Sequence, residues 1–135
     1  MTTSSEEAVK QIKSDDNVFI HSAAAVPKSL VDAMTERHSE LRNVSIYQIH
    51  TEGDAPYSNP TLQNSFIIKS FFVGANNRDV IQNGNGSYIP IFLSEVPALF
   101  RKGVIELDVA LISVSPPDKH GYCSLGTSVD ISLAA

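Results

Sequence analysis

The stretch VFIHSAAAVPKSLVDAM, residues 18–34, decides the fold. Val18, Phe19 and Ile20 are consecutive large apolar residues and read as a short buried strand. The strand ends at His21. Small residues follow, Ser22 to Ala25, and Pro27 opens a helix at its first turn, where a missing N–H costs nothing. Leu30, Val31, Met34, His38 and Leu41 give that helix one apolar stripe. A strand running through a small-residue turn into an amphipathic helix begins a parallel strand–helix–strand unit.

The pattern repeats on both sides. Upstream, Ser4 and Glu7 form an S-x-x-E capping box before Ala8, Val9 and Ile12, which share a helical face. Asp15, Asp16 and Asn17 break that helix. Downstream, residues 44–50 (VSIYQIH) alternate as a second strand, and 66–73 make a third. Residues 76–83 read as a short helix closed by Gly84. Residues 88–93 make a fourth strand, and Ser94 can cap a helix bearing Val96, Leu99 and Phe100 that Gly103 stops. Residues 107–114 make a fifth strand, and 127–135 begin another helix. Strand and helix alternate, which predicts an α/β fold: a mainly parallel sheet flanked by helices. Between the second and third strands lies a long aperiodic loop, 51–65, of the kind that covers or carries a site.

With 135 residues the chain is read as a single domain, 1–135. Its last segment, SVDISLAA, has an apolar face too short to bury well, so the domain is expected to be incomplete at its C-terminus. A net charge of −5 opposes nucleic acid as a partner. No apolar run approaches the ~20 residues of a membrane span. The single cysteine cannot pair internally, which fits the cytoplasm or an organelle matrix.

Several residues invite chemical readings. In residues 114–126, VSPPDKHGYCSLG, His120 and Cys123 suggest a thiol nucleophile, but sequence proximity supplies no orienting third group. A lone cysteine is more often a small packing residue. Gly84-Asn85-Gly86 follows a helix and precedes a strand, the reverse of a phosphate loop. His21, His50 and His120 lack metal-ligand spacing, so no metal is expected. Glu52 falls in the long loop, and Glu95 sits where a negative charge meets a helix dipole.

Three stretches go further: residues 18–34, 71–101 (FFVGANNRDVIQNGNGSYIPIFLSEVPALFR) and 108–130 (DVALISVSPPDKHGYCSLGTSVD). Together they resemble the amino-terminal domain of the acetyl-CoA hydrolase and 4-hydroxybutyrate CoA-transferase family. The Y-I-P-I-F-L-S-E-V-P and S-P-P-D-x-H-G-x-C-x-x-G motifs are its most specific marks. Residues 15–17 depart from the glycine turn common there. The resemblance implies a CoA-transferase-like half domain within a longer chain of two similar α/β halves. It implies a CoA-transferase or acetyl-CoA hydrolase acting on short-chain acyl-CoA thioesters, with coenzyme A as substrate, an acyl-CoA and a short carboxylic acid as partners, a missing carboxy-terminal half and a homo-oligomer. The covalent step implied is attack by a glutamate that lies in the other half, so no catalytic residue is expected in this chain. The alternative is a stand-alone binding module derived from that domain; a small thiol enzyme is the third reading.

In open parallel sheets, ligands bind outside the carboxyl ends of the strands. The expected substrate-binding residues are therefore the polar strand exits: His21, His50, Ser94, Glu95 and Ser115, with the turn 74–76 beside them. His21 is favoured, because small residues after it leave room and its ring suits a carboxylate or oxyanion. The competing reading is a half-buried histidine bonded to a neighbouring carbonyl.

Overall fold

The structure is a computed structural model and describes residues 3–135. Among the described residues five strands form one sheet, all parallel: β1 (Asn17–Ile20), β2 (Val44–Gln48), β3 (Phe66–Ser70), β4 (Gly86–Tyr88) and β5 (Val109–Leu111). Their order across the sheet is β4-β3-β2-β1-β5. The chain thus steps outward from β1 to β4, then returns to lay β5 on β1's other side. The α/β expectation holds.

Among the described residues four α-helices accompany the sheet: α1 (Ser5–Ala8), α2 (Lys28–Glu36), α3 (Ala75–Gln82) and α4 (Val96–Arg101). Period-2 alternation divides the strands between two cores. On one face Val18, Ile20, Val44, Ile46, Phe66 and Ile68 pack with Val9 and Ile12 after α1, Val31 and Met34 of α2, and Val80 of α3. On the other, Phe19 and Phe71 meet Val96, Leu99 and Phe100 of α4. The Phe100 ring stands edge-on to Phe19 at 6.0 Å and to Phe71 at 6.1 Å, the geometry the ring quadrupoles favour.

The helix ends follow their chemistry. Ser4 Oγ accepts the Glu7 N–H at 3.2 Å, the first half of the expected capping box. Glu7's carboxylate turns instead to Lys10 at 2.6 Å. Arg37 donates to the carbonyls of Val9 and Ile12, satisfying acceptors left free where the first helical segment ends. Asp15 takes φ +70°, so the break before β1 is a left-handed turn. Asn17 already belongs to the strand. Its amide N–H bonds Asp108 Oδ2 at 2.8 Å and its Nδ2 bonds the Glu106 carbonyl at 2.9 Å.

Five expectations are corrected, the first being the helix expected over 127–135, which is a run of turns. His38 leaves the apolar stripe and is exposed, because α2 ends at Glu36 and passes into a 3-10 turn, Arg37–Ser39, that breaks the 3.6 period. The fourth strand runs Gly86–Tyr88 rather than 88–93, since Pro90 lacks the N–H a ladder needs. The fifth keeps only Val109–Leu111. Ser94 does not cap α4. It lies inside a 3-10 turn, Leu93–Glu95, and the position before Val96 is Glu95, without a side-chain cap bond.

The edge strand β4 tolerates no side chain at its start. A Cβ at Gly86 would lie 3.1 Å from the carbonyl oxygen of Ile68 and 3.1 Å from its Cβ. Gly86→Ala is expected to lower stability in chemical denaturation by about 1–3 kcal/mol, the usual cost of overpacking.

Candidate functional site

All five strands point the same way, so their carboxyl ends share one edge. His21 and His50 follow the central strands β1 and β2, and Ser115 follows the edge strand β5. Ser94 and Glu95 lie where the chain after β4 turns back over the sheet, since the next residue, Val96, packs with Phe19, Ile49 and Phe71.

His21 ends β1 and is fully buried. Its Nδ1 accepts the Ser113 N–H at 3.2 Å, and its Nε2 faces the Ser128 carbonyl. These partners fix the Nε2–H tautomer. Both ring nitrogens are thus engaged within the chain, tying β1 to the segment after β5 and to the C-terminal turns. His50 is half-buried beside Phe72, with ring centroids 6.0 Å apart, and its Nε2 lies 3.7 Å from Glu52 Oε1. Glu95 is exposed beside Tyr88, Pro90, Ile91 and Phe92, around a cleft of about 480 Å³.

Ser115 belongs to an exposed, self-closed loop. Its N–H donates to the Ser124 carbonyl at 2.8 Å and its Oγ accepts the Ser124 N–H at 2.9 Å. Within the loop, Asp118 Oδ1 accepts the N–H groups of His120 and Tyr122 at 2.8 and 2.9 Å. Gly121 and Gly126 take φ of +86° and +74°, which only glycine adopts freely. Cys123 is exposed, so the packing role expected of it is corrected: its side chain lies on the loop's outside. Among the described residues, no group of three or more His, Cys, Asp or Glu is placed to hold a metal ion.

A crevice of about 370 Å³ opens at the carboxyl ends of β1 and β2. Ala23, Ala24, Val26 and Val31 give it an apolar lining. Lys28, Asp32, Glu52 and Asp54 supply the polar part, with Lys28 Nζ 3.1 Å from Asp32 Oδ2. Ala23 bridges Thr51 in parallel and takes φ +53°. A non-glycine residue in that region is strained, and such strain gathers at functional sites. A larger hollow of about 490 Å³ lies along α2 among Asp32, Thr35, Glu36, His38 and Pro56. It is away from the strand ends, so size alone does not choose between them.

Beneath the crevice lies a buried polar cluster absent from the sequence-based set. The Tyr57 hydroxyl donates to Gln48 Oε1 at 2.5 Å, and the single Thr51 hydroxyl proton is shared between Gln48 Oε1 at 2.7 Å and the Tyr57 oxygen. Thr51 and Tyr57 hydroxyls are 2.8 Å apart, and Gln48 Nε2 donates to Ser70 Oγ at 3.2 Å. The signal was present: in Val44-x-Ile46-x-Gln48 and Phe66-x-Ile68-x-Ser70 a polar residue ends an inward-facing row on adjacent strands. Burial pushes the Tyr57 hydroxyl up to about 12, partly opposed by its bonds to Thr51 and Gln48.

The five parallel strands with flanking helices make an open α/β domain with a crevice at the carboxyl edge of its sheet. The comparisons narrow it. The family described as Acetyl-CoA hydrolase/transferase N-terminal domain matches residues 2–135. A succinyl-CoA:acetate/propanoyl-CoA:succinate CoA transferase of Fasciola hepatica is 46% identical over 96% of this chain and 27% of its own length. A 4-hydroxybutyrate coenzyme A transferase of Clostridium kluyveri is 36% identical over 96% of this chain and 30% of its own length. Among solved structures, 4-hydroxybutyrate CoA-transferase from Porphyromonas gingivalis superposes with a TM-score of 0.76 at 31% identity, over 98% of this chain and 29% of that one. RipA from Yersinia pestis gives 0.82 at 30% identity, over 92% and 31%. The chain belongs to the acetyl-CoA hydrolase/transferase family and spans its amino-terminal domain, under a third of the length of these relatives. Among the described residues no helix is long and apolar enough to cross a membrane.

The buried phenol gives a pH test. Its folded pKa, about 12, exceeds the ordinary 10.0. Above pH 10 the unfolded chain sheds this proton while the folded chain keeps it. The stability from Tyr57 is therefore complete below pH 10 and lost as pH rises through about 12. In a phenolate absorbance titration Tyr57 should ionise after the ordinary tyrosines, and Tyr57→Phe should flatten the alkaline fall in stability.

Proposed function

We propose that this chain forms the amino-terminal wall of a CoA-transferase active site that exchanges coenzyme A between an acyl-CoA thioester and a short carboxylic acid. The observation that carries this is the crevice between residues 23–32 and 52–54, at the carboxyl edge of a sheet belonging to a family of CoA transferases.

The chemistry divides into carboxylate attacks. A glutamate outside these residues attacks the thioester carbonyl, expelling coenzyme A as its thiolate and leaving a mixed anhydride. The thiolate attacks the glutamyl carbonyl of that anhydride, releasing the donor acid and leaving a glutamyl-CoA thioester. The acceptor acid then runs the same steps in reverse. Protons and electrons balance across these steps, so no oxidant or reductant is consumed. Within this chain the crevice's apolar side packs the acyl tail. In this proposal His50, whose Nε2 is 3.7 Å from the crevice residue Glu52, contacts the substrate, His21 supports the edge from within, and Ser94, Glu95 and Ser115 are flanking contacts for the extended body of coenzyme A. Self-association and a cytoplasmic or organelle-matrix setting belong to the same proposal.

The test uses the full-length protein, acetyl-CoA and isotope-labelled butyrate, with labelled butyryl-CoA measured by mass spectrometry. Exchange is expected from the full-length protein and none from residues 1–135 alone. Exchange by residues 1–135, or its absence in the full-length protein across a panel of short acids, would overturn the proposal.

A further inference from the structure

Tyr57 is a buried titratable group that the transfer chemistry does not use. It lies in the long loop 51–65, yet is only 1% exposed. Its ring packs in the core formed with α2 and β2, and its hydroxyl reaches the sheet at Gln48 and the loop's start at Thr51. The next residues, Glu52 to Asp54, line the crevice. Loop position there is set at two points. Tyr57 and Gln48 hold the Thr51 side chain. Asn76, in the first turn of α3, donates Nδ2 to the carbonyls of Thr51 and Gly53 at 2.9 and 3.0 Å. The opposite side is held by the parallel bridge from Ala23 to Thr51, with the Ala23 N–H on the His50 carbonyl at 3.0 Å. Thr51 is therefore the joint between the crevice's two sides, and its hydroxyl is oriented by a phenol too deeply buried to meet a ligand.

We propose that Tyr57 is a positioning residue: through Thr51 it sets where Glu52, Gly53 and Asp54 stand, and so the width of the crevice. The proposal rests on that crevice facing the acyl-CoA substrate. A group that shapes binding without touching reacting atoms changes KM more than kcat.

The test is made in the full-length protein with Tyr57→Phe, Thr51→Val and Thr51→Ser, using Gly86→Ala as a destabilised control remote from the crevice. The account expects KM for acyl-CoA to rise about tenfold in Tyr57→Phe and Thr51→Val, with kcat held within about threefold. Thr51→Ser, which keeps the hydroxyl, should restore the wild-type KM, and Gly86→Ala should leave it unchanged. Amide hydrogen exchange at residues 51–54 should quicken in Tyr57→Phe and Thr51→Val but not in Gly86→Ala. Wild-type KM and exchange in both hydroxyl-deleted variants would overturn the proposal, as would an equal KM rise in Gly86→Ala. Should the wild-type protein transfer no coenzyme A, the functional reading fails by itself. The exchange rates at 51–54 then decide the role of Tyr57.

Discussion

Gln48 sits at the last inward position of the central strand, and its amide is wholly buried. An amide there must find partners, because an orphaned buried polar group costs about 1–3 kcal/mol. Gln48 finds them in Thr51, Tyr57 and Ser70. That requirement shapes the neighbourhood. It pulls the loop down onto the sheet, turns Tyr57 into a core residue despite its position outside any strand, and leaves residues 52–54 as a ledge above the strand ends. Ser58, buried just after Tyr57, extends the attachment by donating to Asn77 Oδ1 at 2.5 Å.

The sheet's two faces are finished differently. Helices α2 and α3, the segment after α1 and the attached loop cover one face. The other carries α4 and the C-terminal turns around Phe19, Phe71 and Ile131. Phe72, Phe92 and Leu93 stand exposed near the ends of β3 and β4. The crevice lies on the α2 side, with Val31 common to its lining and to that core. A site on a rigid sheet edge with a pinned loop holds its geometry better than one on free loops.

Much of this was legible in the sequence. β1, β2 and β3 follow from Val18-Phe19-Ile20, the alternation after Val44 and the run from Phe66, because burial on a regular period leaves a plain pattern. The motifs at residues 88–97 and 115–126 carried the family. The shorter β4 and β5 were over-read, since extended apolar chain such as Ile89 to Phe92 looks like strand until Pro90 and exposure are weighed. His21 was placed correctly at a strand end, but its engagement by Ser113 and Ser128 depends on contacts 92 and 107 residues away along the chain. The Gln48 cluster left a trace in the inward rows ending at Gln48 and Ser70, but Tyr57 and Thr51 in the loop gave none. Its members are polar residues whose burial is decided by neighbouring strands and a loop, and a local pattern assigns polar residues to the surface.

The central claim is that the crevice beside Ala23 and Glu52 receives the acyl end of the substrate. A crystal structure of the full-length protein with a non-reacting acyl-CoA analogue tests it most directly. The account predicts the acyl group against Ala23, Ala24 and Val26, under the ledge of residues 52–54. An acyl group lodged instead beside Tyr88 and Phe92, with the crevice empty, would contradict it.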